Sequence, residues 1–168
     1  MRVPANGRPI RFPRTPKKRG IDLCRRLSGV RAAPPAYPGS LAAQMPATYL
    51  RIYADEQGES HLEDVDITFE ETDFVPPAPP VLLSSFELAS QYGFELVHQG
   101  WHGDWHPVPQ RVLAIYLAGS GEIEASDGEV RDLVPGTILL AEDTVGKGHK
   151  TRVIGSTDML VVILRLPD

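Results

Sequence analysis

The residues with most chemical potential lie in two short stretches. The first, Trp101-His102-Gly103-Asp104-Trp105-His106, sets two indoles and two imidazoles within six residues. Indoles side by side can stack on a flat or sugar-like ligand, and they can equally cap a core. In the second, Lys147, Lys150 and Arg152 surround His149 in a part of the chain otherwise short of positive charge. Such a cluster would favour an anionic ligand, such as a carboxylate. With Arg111, these residues give a candidate ligand-binding set of Trp105, Arg111, Lys147 and Arg152. Gly146-Lys147-Gly148 has neither the longer spacing of a phosphate-cradling loop nor a helix to follow it. Ser120 and Ser126 sit in turns with no His at a suggestive spacing, so no nucleophile is assigned.

The elements that must position these groups read as strands. Short runs rich in Val, Ile, Leu and Tyr are punctuated by Gly119-Ser120-Gly121, Asp127-Gly128 and Pro135-Gly136, at intervals of roughly ten residues. Asp127-Gly128 predicts a hairpin with a type I′ turn, whose two central residues need positive φ. Residues 49–54 predict a first strand, ended by Asp55 to Gly58. In the next, Val65, Ile67 and Phe69 alternate with Asp64, Asp66, Thr68 and Glu70, which predicts an apolar face and a wet one. Four prolines in 74–80 keep that segment out of any ladder and make it an extended crossing of the surface. Residues 82–91 fit either a helical turn or a loop. His98 reads as a strand residue and His61 as a loop residue. The almost continuously apolar run 158–166 predicts a central strand covered on both faces.

The turn at Gly119 and Gly121, the run Leu133-Val134-Pro135-Gly136-Thr137 and the later His149 resemble the two motifs of the cupins. More narrowly, Trp105-His106 with Pro109, together with Glu142-Asp143-Thr144 and Gly146-Lys147-Gly148-His149, resembles small uncharacterised single-domain bacterial cupins. The resemblance covers residues 49–166. It implies an all-β protein, a cupin-type double-stranded β-helix (jelly-roll) barrel over residues 45–168, behind a disordered N-terminal extension over residues 1–44. It also implies a divalent transition metal held in the barrel by three imidazoles and one carboxylate. Val112 stands where the family places its Glu. The first-motif histidines fall on His106 and Val108, or on Trp105 and Pro107 with the longer gap. His106 and His149 remain as metal candidates, with His102 as a recruit and oxygen from Glu142, Asp143 or Gln110.

The reading that follows is a barrel that binds a small organic molecule, anionic if the cations open onto it, beside a degenerate metal site. The alternatives are a metal-dependent oxygenase or isomerase, and a catalytically silent structural or regulatory barrel acting as a homodimer. The apolar final strand and the family's habit of pairing through edge strands point to a homodimer.

Composition limits the partners. Of 168 residues, 17 are Lys or Arg and 22 Asp or Glu, for a net charge of −5. Residues 1–44 hold ten of the cations against Asp22 alone, so they carry +9 and residues 45–168 carry −14. An acidic domain repels phosphate backbones, so nucleic acid is not expected as a partner. No run of about eighteen apolar residues exists, so no membrane span is expected. Cys24 is the one cysteine, which excludes an intrachain disulfide and fits a reducing compartment, the cytoplasm. Seven of the sixteen prolines lie in residues 1–44. That segment reads as a disordered basic extension, as a targeting leader, or as an over-extended reading frame ahead of Met45.

Overall fold

The computed structural model describes residues 47–167, and the expected extension 1–44 lies outside them. The described residues form eleven strands and no helix. They are β1 (Thr48–Ala54), β2 (Ser60–Asp66), β3 (Glu70–Thr72), β4 (Val81–Leu83), β5 (Gln91–Val97), β6 (Val112–Ala118), β7 (Ser120–Ala125), β8 (Val130–Leu133), β9 (Ile138–Ala141), β10 (His149–Ile154) and β11 (Met159–Arg165). A large sheet runs β2-β1-β9-β6-β11-β5, a small sheet β10-β7-β8, and β3 pairs with β4 alone. Residues 101–106 add a fourth, irregular strand to the small sheet, because His102 bridges Arg152 and His106 bridges His149.

From β5 onward the chain therefore alternates between sheets: large, small, large, small, small, large, small, large. The order within the sheets is β5-β11-β6-β9 against 101–106-β10-β7-β8. This is the strand order of a jelly roll, so the cupin-type fold expected from the sequence is the one adopted.

Period-two patterning builds the core. In β7, Gly121, Ile123 and Ala125 face inward and are buried, while Glu122 and Glu124 face out. Ile52, Ile123, Leu133 and Val161 are fully buried, each contributing about 1.5–3 kcal/mol. β11 lies between β6 and β5, the central position its composition predicts. Its inner residues Met159 and Val161 are buried, but its outer ones are only half covered.

Three local expectations are corrected. In β2 the residue against the core is Leu62, paired with Ile52, so register places Asp64 opposite Leu50 and turns Val65 to the outer face beside Tyr49. The strand ends at Asp66, before the apolar residues Ile67 and Phe69 that seemed to define it. At the Asp127 hairpin, Gly128 N donates to Ala125 O at 3.0 Å, so the central residues of the turn are Ser126 and Asp127. Gly128 follows with φ of +94°, a type I turn closed by a left-handed glycine instead of a type I′ pair. Residues 74–80 form the connection of the β3–β4 hairpin, and Ser84 to Ser90 are a loop.

Gly119 is where the chain leaves the large sheet for the small one. Its φ is +75°, and a Cβ there would lie 2.5 Å from Asp158 O and 2.6 Å from Met159 Cα. Gly128 shares the positive φ but has open space around it. Gly128→Ala should therefore cost about 1–2 kcal/mol, the left-handed penalty alone, and Gly119→Ala about 3 kcal/mol or more, since backbone must also move. Urea unfolding of the two variants checks this ordering.

Candidate functional site

The small sheet carries the candidate site because of one extra residue. Between its two bridges, the 101–106 strand advances four residues, from His102 to His106, while β10 moves three, from Arg152 to His149. Gly103 N donates to Thr151 O at 2.8 Å, and His106 and His149 exchange backbone hydrogen bonds of 3.1 and 3.0 Å. A one-residue offset moves side chains to the opposite face of a sheet. His102 consequently shares the outer face with Arg152, and His106 shares the inner face with His149.

On the inner face the rings of His106 and His149 lie 4.8 Å apart, centroid to centroid, tilted by 50°. His149 is 7 % exposed and Asp143 0 %. His149 Nδ1 meets Asp143 Oδ2 at 2.6 Å, and His106 Nδ1 meets the carbonyl of Asp104 at 2.7 Å. A carbonyl or an ionised carboxylate can only accept, so each Nδ1 carries the proton and each neutral ring keeps its lone pair on Nε2. His106 is exposed, so the pair is reachable from solvent. Asp143 Oδ1 has no hydrogen-bond partner among the described residues, which leaves His149 as the group that compensates the buried carboxyl.

The loop before β10 is locked from several sides. Ser60, fully buried, donates its hydroxyl to Gly148 O at 2.7 Å. The same hydroxyl oxygen accepts from Ser126 N at 2.7 Å. Lys147 N donates to Gly58 O at 2.9 Å, and Asp143 O accepts from Val108 N at 3.1 Å. Gly148 has φ of +71°, and a Cβ there would sit 2.1 Å from the carbonyl carbon and oxygen of His106.

The structure brings His106 and His149 together and disperses the other candidates. Lys150 and Arg152 alternate with His149 along β10 and so lie on the outer face, which corrects the expected cluster of cations around that imidazole. Arg152 Nε is 2.7 Å from Glu122 and Lys150 Nζ is 2.9 Å from Glu124. Trp105 belongs to the same outer face, with Lys150 Nζ 4.5 Å from its ring centroid. Trp101, His102, Glu122, Glu124, Lys150 and Arg152 line an open groove of about 410 Å³ there. Lys147 pairs with Glu59. Gln110 donates its amide to Leu166 O at 3.0 Å. Val112, half-buried, packs against the core. His98 is exposed on Asp158, and His61, expected in a loop, is in β2 between Asp55 and Asp127. Tyr116, buried on β6, has its phenol pushed up by burial and secondly by the charge of Glu95.

Arg111 and Glu142 form a separate structural clamp. Glu142 accepts from Arg111 Nε at 2.8 Å and from Arg51 Nε at 2.7 Å. Arg111 also reaches Pro167 O at 3.0 Å.

The roles of Asp104 as the carbonyl behind His106, and of Ser60 and Gly148 as fixtures of the loop, were not legible in the sequence. Those of Ser60 and Gly148 depend on contacts between distant segments, and that of Asp104, two residues from His106, on the backbone path of the irregular strand.

The donor set does not match a resident transition metal. Two imidazoles are available, Asp143 has its bonded oxygen on a histidine nitrogen, Gln110 is turned to the backbone, and Val112 offers no ligand. Among the described residues no group of three or more His, Cys, Asp or Glu side chains is placed to hold a metal ion.

No family model and no curated protein matches the chain. Among solved structures, it is similar to a dTDP sugar isomerase from Desulfovibrio desulfuricans G20, with 14 % identity over 72 % of this chain and 76 % of that one, at a TM-score of 0.38. It is similar to the capsular polysaccharide assembling protein CapF from Staphylococcus aureus, with 17 % identity over 68 % of this chain and 29 % of that one, at 0.35. A conserved protein of unknown function from Streptococcus pyogenes shows 19 % identity over 48 % of this chain and 69 % of that one, at 0.36. Among the described residues no helix is long and apolar enough to cross a membrane.

Burial pushes the Glu142 carboxyl up, but hydrogen bonds from Arg111 and Arg51 outweigh it and hold the group below its ordinary value of 4.5. A carboxyl depressed in the folded state stabilises above its unfolded value, and the gain is lost as pH falls through the folded one. Wild type should therefore be more stable than Glu142→Gln at neutral pH, with the gap closing below about pH 4.5. Urea unfolding of both proteins across that range checks it.

Proposed function

We propose that the chain binds a small organic acid at the His106–His149 pair, as a metal-free site. The observation that carries this reading is that each Nδ1 faces an oxygen acceptor, the buried Asp143 carboxyl at 2.6 Å and the Asp104 carbonyl at 2.7 Å. A carboxylic acid that hands its one proton to one of the two Nε2 atoms leaves an imidazolium beside its own carboxylate, and the other Nε2 stays a neutral hydrogen-bond acceptor. The carboxyl behind His149 stabilises the charged ring, the role an orienting carboxylate plays behind a basic histidine. His149 is thus built to take a proton from a bound ligand, whether or not bonds then change.

The cations first assigned to ligand recognition have acidic partners of their own, so the imidazoles are the groups left to meet the anion. A cytoplasmic, reducing setting and kinship with small single-domain cupins belong to the same proposal, supported by Cys24 and by the sequence motifs. The oxygenase or isomerase reading needs a metal, and the donor set gives it no support.

Thermal unfolding against a panel of mono- and dicarboxylates tests the proposal. A ligand at ~100 times its Kd stabilises by about 2.7 kcal/mol, roughly 5–10 °C for a domain of this size. The shift should vanish in His106→Ala and in His149→Ala and persist in Arg152→Ala. A shift abolished by Arg152→Ala alone would move the ligand to the outer groove. Elemental analysis of untagged protein should show no stoichiometric metal, and metal lost from a His106→Ala/His149→Ala double variant would overturn the metal-free reading.

A further inference from the structure

The groove on the outer face of the small sheet plays no part in the acid site, yet it has a fixed aromatic platform. The six-membered ring of the Trp101 indole lies over Gly103, where a Cβ would sit 2.8 Å from Cη2 and 3.4 Å from both Cζ2 and Cζ3. Only glycine leaves the ring that seat. With backbone beneath one face, the other face of a residue that is 45 % exposed turns to solvent. The main chain at Trp101 is held on both sides, its N–H donating to His98 O at 3.1 Å and its carbonyl accepting from Val153 N at 2.9 Å. Trp105 is different, because Lys150 Nζ already covers a face of its ring at 4.5 Å.

The same groove is lined by two ion pairs, Glu122 with Arg152 and Glu124 with Lys150, whose four charges cancel. Both cations contact the Oε2 atom of their glutamate, Arg152 Nε at 2.7 Å and Lys150 Nζ at 2.9 Å. Oε1 of each glutamate and Nη1 of Arg152 have no partner among the described residues. A charged ligand meets a like charge in each pair and must displace one member of it. An apolar ligand strips water from these groups and returns no hydrogen bond, which is costly. A hydroxyl donates to a carboxylate and accepts from a guanidinium, so it joins a pair without breaking it. The molecule that suits both halves of the groove has an apolar face, a rim of hydroxyls and no net charge. The volume, about 410 Å³, is within the ~300–1,000 Å³ of small-molecule sites.

We infer that this outer groove binds a neutral saccharide, one ring stacked on Trp101 with its hydroxyls on the Glu122–Arg152 and Glu124–Lys150 pairs. Strand alternation along β10 keeps it apart from the His106–His149 pair, so the two faces of the small sheet take different ligands and each can be tested alone.

The chain holds two tryptophans, Trp101 and Trp105, so its indole N–H spectrum has a peak for each, and Trp101→Phe assigns them. The labelled full chain is titrated with glucose, galactose, N-acetylglucosamine and maltotriose, and separately with adenosine. The Trp101 peak of the wild type should move saturably with at least one of the saccharides, a readout that needs no variant to fold. By calorimetry, Trp101→Ala and Arg152→Ala should each bind that saccharide about tenfold more weakly. Trp101→Phe, which keeps a stacking ring, should recover most of the loss, and His106→Ala/His149→Ala should bind as the wild type does. If none of the saccharides moves the Trp101 peak, the proposal is overturned. A peak that moves with adenosine alone also overturns it, and assigns the groove to a flat base. So does saccharide binding that survives both Trp101→Ala and Arg152→Ala, or that is lost with the histidine pair.

Discussion

The peptide of Gly148 lies against the peptide that joins His106 to Pro107, too close for any side chain, and the candidate site follows from that contact. Because the two backbones touch, the irregular strand 101–106 can hydrogen-bond to both the N–H and the C=O of His149. The extra residue upstream then decides which histidine faces inward. If the register were even, with His106 still opposite His149, His102 would stand on the inner face with them instead of beside Arg152. Ser60 holds the other side of the Gly148 peptide from β2. The geometry of the pair is thus set by backbone contacts among three segments and not by the side chains that carry its chemistry.

The two faces of the small sheet divide the charged groups. Outward, Glu122 and Glu124 pair with Arg152 and Lys150 across neighbouring strands, a half-exposed ladder whose pairs each contribute little. Inward, the Asp143 carboxyl and the His149 imidazole are buried, where the same kind of interaction is less screened and an unmatched charge is costly, while His106 opens to solvent. Asp143 is therefore the more consequential acid of the Glu142-Asp143 pair, although the sequence places both one residue apart. Glu142 ties β1 to the residues ahead of β6 through two arginines, which supports the sheet beneath the site.

Much of the fold was legible because it rests on local signals. The turns at Gly119, Asp127-Gly128 and Pro135-Gly136 fall where strands end, β7 alternates with period two, and β11 reads as central because its composition is apolar throughout. The misreadings share a cause. Val65, Ile67 and Phe69 alternate as an inward face would, but register with β1 was decided by Leu62 against Ile52, which turned the set around. The cations near His149 looked like a cluster in the chain and were separated by strand alternation. Of the site, His106 and His149 were legible as residues. The Asp104 carbonyl, the loss of His102 to the outer face and the lock on Gly148 were not, because a one-residue bulge and a contact 42 residues apart leave no periodic trace in a sequence. The exposed face of β5 was not legible either, because the direction in which Tyr92, Phe94 and Leu96 point follows from the register of β5 against β11.

The claim on which the account turns is that both imidazoles are held with the proton on Nδ1 and a lone pair on Nε2. Long-range proton–nitrogen correlation spectra of uniformly labelled protein, near pH 8 where an unperturbed imidazole is neutral, observe this directly. The account predicts that His106 and His149 both show a protonated Nδ1 and a bare Nε2, and that Asp143→Asn alters the His149 pattern while leaving that of His106 in place. A protonated Nε2 with a bare Nδ1 on His149 would contradict it, because the buried carboxyl would then have no proton to accept and the pair would have no reason to be where it is.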